Sequence, residues 1–165
     1  MTEQSTLDQL TQTITGVKTS AFRGETRVVV SKAAMFTALK LLKEKCRFDL
    51  LVDVTCVDYL NYRDATDRFG LVYLLANTET SERITVRVFV NEPDLNVPSV
   101  VALWEGANWF EREVYDMFGI VFTSHPDLRR ILMPQEFVAF PLRKDYPLQG
   151  RGERHNFEVL TREQG

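Results

Sequence analysis

The apolar positions of this chain repeat with a helical period in some stretches, alternate in others, and lose both patterns towards the C-terminus. Residues 1–20 carry only the weak spacing Leu7, Leu10, Ile14, enough for a short, frayed helix. Residues 26–30 (TRVVV) predict a strand. Ser31 follows where an N-cap is wanted, ahead of a helix over 32–46 whose Met35, Leu39 and Leu42 recur in steps of four and three, with Phe36 on the same side. Residues 48–59 alternate, Phe48, Leu50, Val52, Val54 and Cys56 pointing one way and Asp49, Asp53 and Thr55 the other, which predicts a half-buried strand. Residues 69–77 and 83–90, joined by the polar turn 78–82, predict an antiparallel hairpin, and 91–98, with two prolines, a loop. A second long helix is predicted over 100–118. At about 100° per residue, Val100, Leu103, Ala107, Phe110, Val114 and Met117 share a face, and Arg112 lies opposite, near Asn108 and Asp116. Trp104, Trp109 and Tyr115 flank that face and widen its apolar surface. Gly119 suits the position just past the helix end, and 120–122 suits a short strand.

The order β-α-β-β-β-α predicts an α+β fold: a small, mainly antiparallel sheet with helices packed mainly on one face, followed by an extended proline-rich C-terminal segment. That segment holds Pro126, Pro134, Pro141 and Pro147, four of the six prolines. The expected organisation is an α+β domain over 1–122 and a partner-binding segment over 123–165 that is not an independent domain. The charged, aperiodic tail 151–165 is expected to order only against something else. Such an architecture hosts many functions and selects none.

Composition narrows the classes. Apolar residues make up 44% and aromatics 11%, which supplies a core and argues against disorder. The net charge of −3 gives no overall field that favours nucleic acid. Every uncharged run is far shorter than the roughly 20 apolar residues of a membrane helix. The polar start MTEQSTLDQL does not read as a signal peptide, so membrane contact is expected only through partners. Cys46 and Cys56 form no CxxC pair and read as small buried thiols rather than zinc or iron–sulfur ligands. No GxGxxG, GxxxxGK[ST], HExxH or GxSxG pattern is present.

The densest chemistry lies in WFEREVYDMFGIVFTSHPDLRRILMPQEFVAFPLRKDYPLQG, residues 109–150. An enzyme reading would use Glu111, Glu113 and Asp116 as acid–base or metal-binding carboxylates, with His125 as a base. Glu111 and Glu113 project roughly 160° apart on a helix and do not converge. Glu113 and Asp116 are too few oxygens for a hard cation, and Arg112 and Asp116 fit an i,i+4 ion pair. The expectation is therefore solvated or interface charges, with His125 hydrogen-bonded locally. Arg129, Arg130, Arg143 and Lys144, interleaved with Asp127, Glu136 and Asp145, suit anchors for carboxylates on a partner protein better than for a phosphate backbone. Leu142, Tyr146 and Leu148 add apolar anchors beside them.

The blocks EREVYDMFGI, HPDLRRILMP and FPLRKDYPL, in that order, resemble the signature region of the subunit designated C in respiratory NADH-quinone oxidoreductase (complex I). The resemblance covers roughly residues 100–148, more weakly the sheet before them. Glu111, Arg112, Glu113, Asp116, Gly119, His125, Pro126, Arg129, Arg130, Pro141, Leu142, Arg143, Lys144, Asp145 and Tyr146 fall on the family pattern. It implies a structural or assembly subunit of the peripheral arm of a proton-pumping enzyme, without a redox centre or catalytic residues of its own. It also implies docking on the large quinone-site subunit, near the subunit that carries the terminal iron–sulfur cluster. FMN, iron–sulfur clusters, NADH and quinone belong to the whole complex; none is expected in this chain. The implied location is the cytoplasmic side of a bacterial inner membrane, or the matrix or stromal side in an organelle. The family also serves ferredoxin-dependent photosynthetic-type complexes and membrane-bound hydrogenases, so the electron donor stays open. A freestanding carboxylate-dependent enzyme and an RRM-like RNA binder are the readings from other classes. The second is disfavoured by Asp49 and Asp53 on the expected strand.

Overall fold

The most apolar stretches become the centre of the sheet. In the computed structural model, which describes residues 3–153, strands β4 (Phe69–Ala76) and β5 (Arg83–Val90) pair antiparallel along their whole length. Asn77 closes their turn, its Oδ1 accepting from the Glu79 and Thr80 amides at 2.9 and 3.0 Å. β3 (Leu50–Asp58) adds antiparallel to β4, and β2 (Glu25–Val30) adds parallel to β5. β1 (Lys18–Phe22) pairs antiparallel with β2, giving the order β1-β2-β5-β4-β3. The fold is thus α+β with a mainly antiparallel, mixed sheet, as the alternation implied. Arg23 and Gly24 join β1 to β2 with φ of 54° and 81°, the left-handed backbone that a two-residue hairpin turn needs. β1 escapes the sequence pattern because all five of its residues are exposed.

Three helices line one face: α1 (Glu3–Thr13), α2 (Met35–Glu44) and α3 (Ala107–Phe118). Leu10, Met35, Leu39, Leu42, Val114 and Phe118 from the helices meet Val28, Leu71, Tyr73, Val86 and Val88 from the strands. Cys46 and Cys56 are buried, unpaired thiols within this core. Burial pushes the Cys56 thiol up to about 12, so it stays protonated.

Several elements differ from the sequence expectation. The helix expected over 32–46 opens as a 3-10 turn, Lys32–Ala34, and Ser31 makes no side-chain cap hydrogen bond. The expected strand 48–59 carries a bulge between Leu51 and Asp53. The extra residue reverses the alternation ahead of it. Leu51 is buried, while Leu50 and Val52, expected inside, are 47% and 41% exposed. The helix expected over 100–118 begins seven residues later, after a turn in which the Leu103 and Trp104 amides donate to the Val100 carbonyl. The expected loop 91–98 contains β6 (Asn96–Pro98), parallel to β7 (Val121–Thr123). Phe110, expected on the buried face of α3, is half-buried, and Glu111 is buried instead. Among the described residues no helix is long and apolar enough to cross a membrane. The expectation for the tail 151–165 falls mostly outside the described residues.

Candidate functional site

Helix α3 is gripped on two sides. Ala107, Glu111, Val114 and Phe118 turn inward, and Asp116, roughly opposite them, is buried under the segment that follows β7. That segment has no regular secondary structure over 124–152 apart from turns and bends. Its backbone groups need other partners, and α3 supplies them. Asp116 Oδ2 accepts from the Ile131, Leu132 and Met133 amides at 3.0, 2.7 and 2.8 Å. Its Oδ1 accepts from Arg130 Nη1 at 2.6 Å. Burial pushes the carboxyl up, but the three amides and Arg130 outweigh it and hold Asp116 below the usual carboxylate range. Arg112, on the same side, donates from Nε to the Arg129 carbonyl at 3.1 Å and from Nη2 to the Arg130 carbonyl at 3.3 Å. Arg130 completes the clasp from the loop, donating to the Ala139 carbonyl at 3.1 Å. The expected Arg112–Asp116 pair is replaced by this loop clasp. Glu111 and Asp116, expected to be solvated or at an interface, are buried within the chain. Only Glu113 of the three carboxylates is exposed.

Glu111 serves the inner side. Its Oε1 accepts from the Val100 amide at 2.6 Å and its Oε2 from the Ser99 hydroxyl at 2.7 Å, tying the turn after β6 to α3. Burial raises its carboxyl to about 7, against the pull of those two donors. His125 Nε2 lies 3.3 Å from the Asn108 carbonyl and its Nδ1 3.0 Å from the Asp127 amide. A carbonyl only accepts and an amide N–H only donates, so the proton sits on Nε2 and the ring is neutral. Burial and then the Arg112 charge lower its pKa, in keeping with that state. The local role expected for His125 is what the geometry shows.

A second clasp fixes the downstream half. Arg143 donates from Nε to the Phe118 carbonyl at 2.6 Å and from Nη1 to Glu92 at 2.9 Å, its guanidinium over the Phe69 and Phe140 rings. Gly119 makes the close approach possible: it has φ 79°, and a Cβ there would stand 2.6 Å from the Phe140 ring and 2.8 Å from Arg143 Nη2. Asp58, buried at the end of β3, accepts from the Lys144 and Leu60 amides at 2.9 and 3.0 Å. Arg68 links Asp58, Glu92 and Asp145 at 3.4, 3.0 and 2.9 Å. Asp58, Arg68 and Glu92 lie outside the motif read from the sequence. A carboxylate in register with buried Val54 and Cys56 was the available signal for Asp58.

The outward residues of the segment are a mixture of polar and apolar side chains. Leu132, Val138, Leu142 and Leu148 are 61%, 86%, 51% and 105% exposed, and Trp109 on α3 is also exposed beneath the Arg112 guanidinium. Arg129, Lys144 and Pro126 are exposed as well, Arg129 forming a bidentate pair with its neighbour Asp127. Pro141 is half-buried, and Tyr146, also half-buried, packs edge-on to Phe137 at 5.8 Å. Of the four expected cationic anchors, Arg130 and Arg143 are thus engaged inside the chain, and Arg129 and Lys144 face out. No group of three or more His, Cys, Asp or Glu among the described residues is placed to hold a metal ion.

Comparison with known proteins agrees with this region. Residues 28–152 match the family described as "Respiratory-chain NADH dehydrogenase, 30 Kd subunit". The C subunit of NADH-quinone oxidoreductase from Trichlorobacter lovleyi is 48% identical over 130 residues, 79% of each chain. The protein of the same description from Geobacter sulfurreducens is 45% identical over 129 residues, 78% of each chain. A trypsin-resistant fragment of Nqo5 superposes with a TM-score of 0.70 at 36% identity, over 76% of this chain and 98% of the fragment. A chain of an archaeal membrane-bound sulfane sulfur reductase shares the fold, with a TM-score of 0.76 at 24% identity, over 96% of this chain and 93% of that one. With the match spanning both clasps and strands β3 to β5, the chain belongs to the family of the 30 kDa subunit of respiratory-chain NADH dehydrogenase.

Proposed function

We propose that this chain is a non-redox structural and assembly subunit in the peripheral arm of a proton-pumping NADH:quinone oxidoreductase. It docks beside the quinone-site subunit and near the iron–sulfur subunit, on the cytoplasmic side of the membrane. The α+β domain over 1–122 is the base, and the segment from 123 is the docking element. The observation that carries this reading is the division of labour in that segment. Arg130 and Arg143 turn inward and hold an irregular backbone in one shape, while Leu132, Val138, Leu142 and Leu148 are presented outward. Fixing a loop before it binds removes the ordering cost from association. Exposed apolar side chains on a loop held in one shape, with Arg129 and Lys144 also exposed, suit a protein-binding surface.

Electron transfer in this reading belongs to FMN, iron–sulfur clusters, NADH and quinone held by other subunits. Glu111, whose pKa is raised to near neutral, has both oxygens occupied by Ser99 and Val100, which suits a structural tie rather than proton exchange with a substrate. The test is affinity purification of the tagged chain from mildly solubilised membranes, with identification of the co-purifying chains. The quinone-site and iron–sulfur subunits should accompany it with an NADH-oxidising module. Recovery with a ferredoxin-accepting or hydrogenase module instead would reassign the donor. Recovery alone, with enzymatic turnover of its own, would overturn the proposal.

A further inference from the structure

The helices cover one face of the sheet and leave the other open. Alternation puts Lys18 and Phe22, Arg27 and Val29, and Arg87 and Phe89 on the open side, where Lys18 pairs with Val29 and Val29 with Arg87. The loop 59–68, between β3 and β4, joins these strands in lining a cleft of about 460 Å³. Gly70 on β4 makes room for its aromatic wall. A Cβ there would stand 2.8 Å from Tyr59 Cε2 and 3.3 Å from Phe89 Cε1, so any side chain would displace the Tyr59 ring. Tyr59 meets Tyr62 edge-on at 5.6 Å and Phe89 at 6.1 Å.

Three cations line this cleft, Lys18, Arg63 and Arg87. None forms an ion pair among the described residues, whereas Arg68, Arg130 and Arg143 all do. Arg87 lines the cleft from the centre of the sheet, with Phe89 beside it. The lining acids are Asp64 and Asp67. Asp67 is already engaged, accepting from Asn91 Nδ2 at 2.7 Å and from the Thr66 hydroxyl at 3.0 Å. The backbones of Lys18 and Arg87 are two strand spacings apart, ~10 Å, so the positive charge runs along the cleft rather than around one point.

We propose that this cleft is a second docking site, which takes an acidic, extended segment of a neighbouring subunit. Its carboxylates pair with Lys18, Arg63 and Arg87, and an apolar residue beside them packs on the Tyr59–Phe89 wall. Guanidinium groups bind carboxylates bidentately, and arginine beside tyrosine is a common composition of interface anchors. The proposal rests on membership of a multi-subunit assembly, but not on docking through the segment after β7.

Chemical labelling of the assembled complex tests it. Acetic anhydride should modify Lys18 in the free full-length chain and lose that reactivity in the complex. Carbodiimide should join the Lys18 amine to an Asp or Glu side chain of a different subunit. Arg63→Gln with Arg87→Gln should abolish that coupling while the chain stays in the complex through the far surface. Equal acetylation of Lys18 in both states would overturn the proposal. So would coupling only to Asp64 or Asp67 of its own chain or to a second copy of this chain, or protection of Lys18 in the free chain by inorganic phosphate alone. Absence of the chain from the isolated complex would overturn the assembly reading, and this proposal with it.

Discussion

Two carboxylates on the same helix carry different duties, and their surroundings explain why. Asp116 is ionised and fully engaged by three amides and a guanidinium. Replacing it with Ala leaves those donors and the Arg130 charge buried without an acceptor. Loss of one partner of a buried pair costs roughly 3–5 kcal/mol. Asp116→Ala should therefore lower the urea midpoint of the isolated chain strongly, whereas Glu113→Ala, at an exposed position of the same helix, should leave it unchanged. Glu111 behaves oppositely. Its folded pKa of about 7 lies above its ordinary 4.5, so between those values the folded chain keeps a proton that the unfolded chain releases. Its contribution is fully present below pH 4.5 and is lost as pH rises towards 7. At ~1.4 kcal/mol per pH unit the contribution is at most about 3.5 kcal/mol. Glu111→Gln should flatten the stability profile across that window, as urea unfolding at pH 5 and pH 8 would reveal. An unchanged pH slope in Glu111→Gln would show that another group carries the dependence.

At the scale of elements, periodicity revealed the α2 and α3 faces, the β4–β5 hairpin and the irregular segment after β7, because each has enough residues for a pattern to rise above its exceptions. What it missed has local causes. The bulge at Val52 adds one residue to β3 and reverses the apparent inward set, so a regular alternation gave the wrong side for Leu50 and Val52. β1 has no buried residue, and β6 and β7 have one each, too little for alternation to register. The motif's importance was legible, but its charges were assigned outward. Spacing on one helix cannot show that a proline-rich loop returns to bury the opposite face. The register has a direct check. Leu51→Ala should cost roughly 2–5 kcal/mol in urea unfolding, the range for truncating a buried leucine. Val52→Thr should be close to neutral because Val52 is exposed. The reverse order would restore the unbulged alternation.

For the molecule as a whole, the two clasps make the sheet domain and the segment after β7 one mechanical unit. Glu92 and Asp58 on the sheet side hold Arg143 and the Lys144 amide, while α3 holds residues 129–133. The proposed docking surface then has a fixed shape whose outward residues can be changed without touching the clasps. This separates binding from folding. The decisive measurement is a native gel of membranes carrying Val138→Asp with Leu148→Asp, read beside the thermal melt of the purified variant. Both side chains are exposed, so the melt should match the parent chain, and the assembled complex should be lost with the variant left as a folded, unattached subunit. A fully assembled complex with normal subunit ratios and no electron transfer to quinone would contradict a scaffold role and place this chain in the chemistry itself.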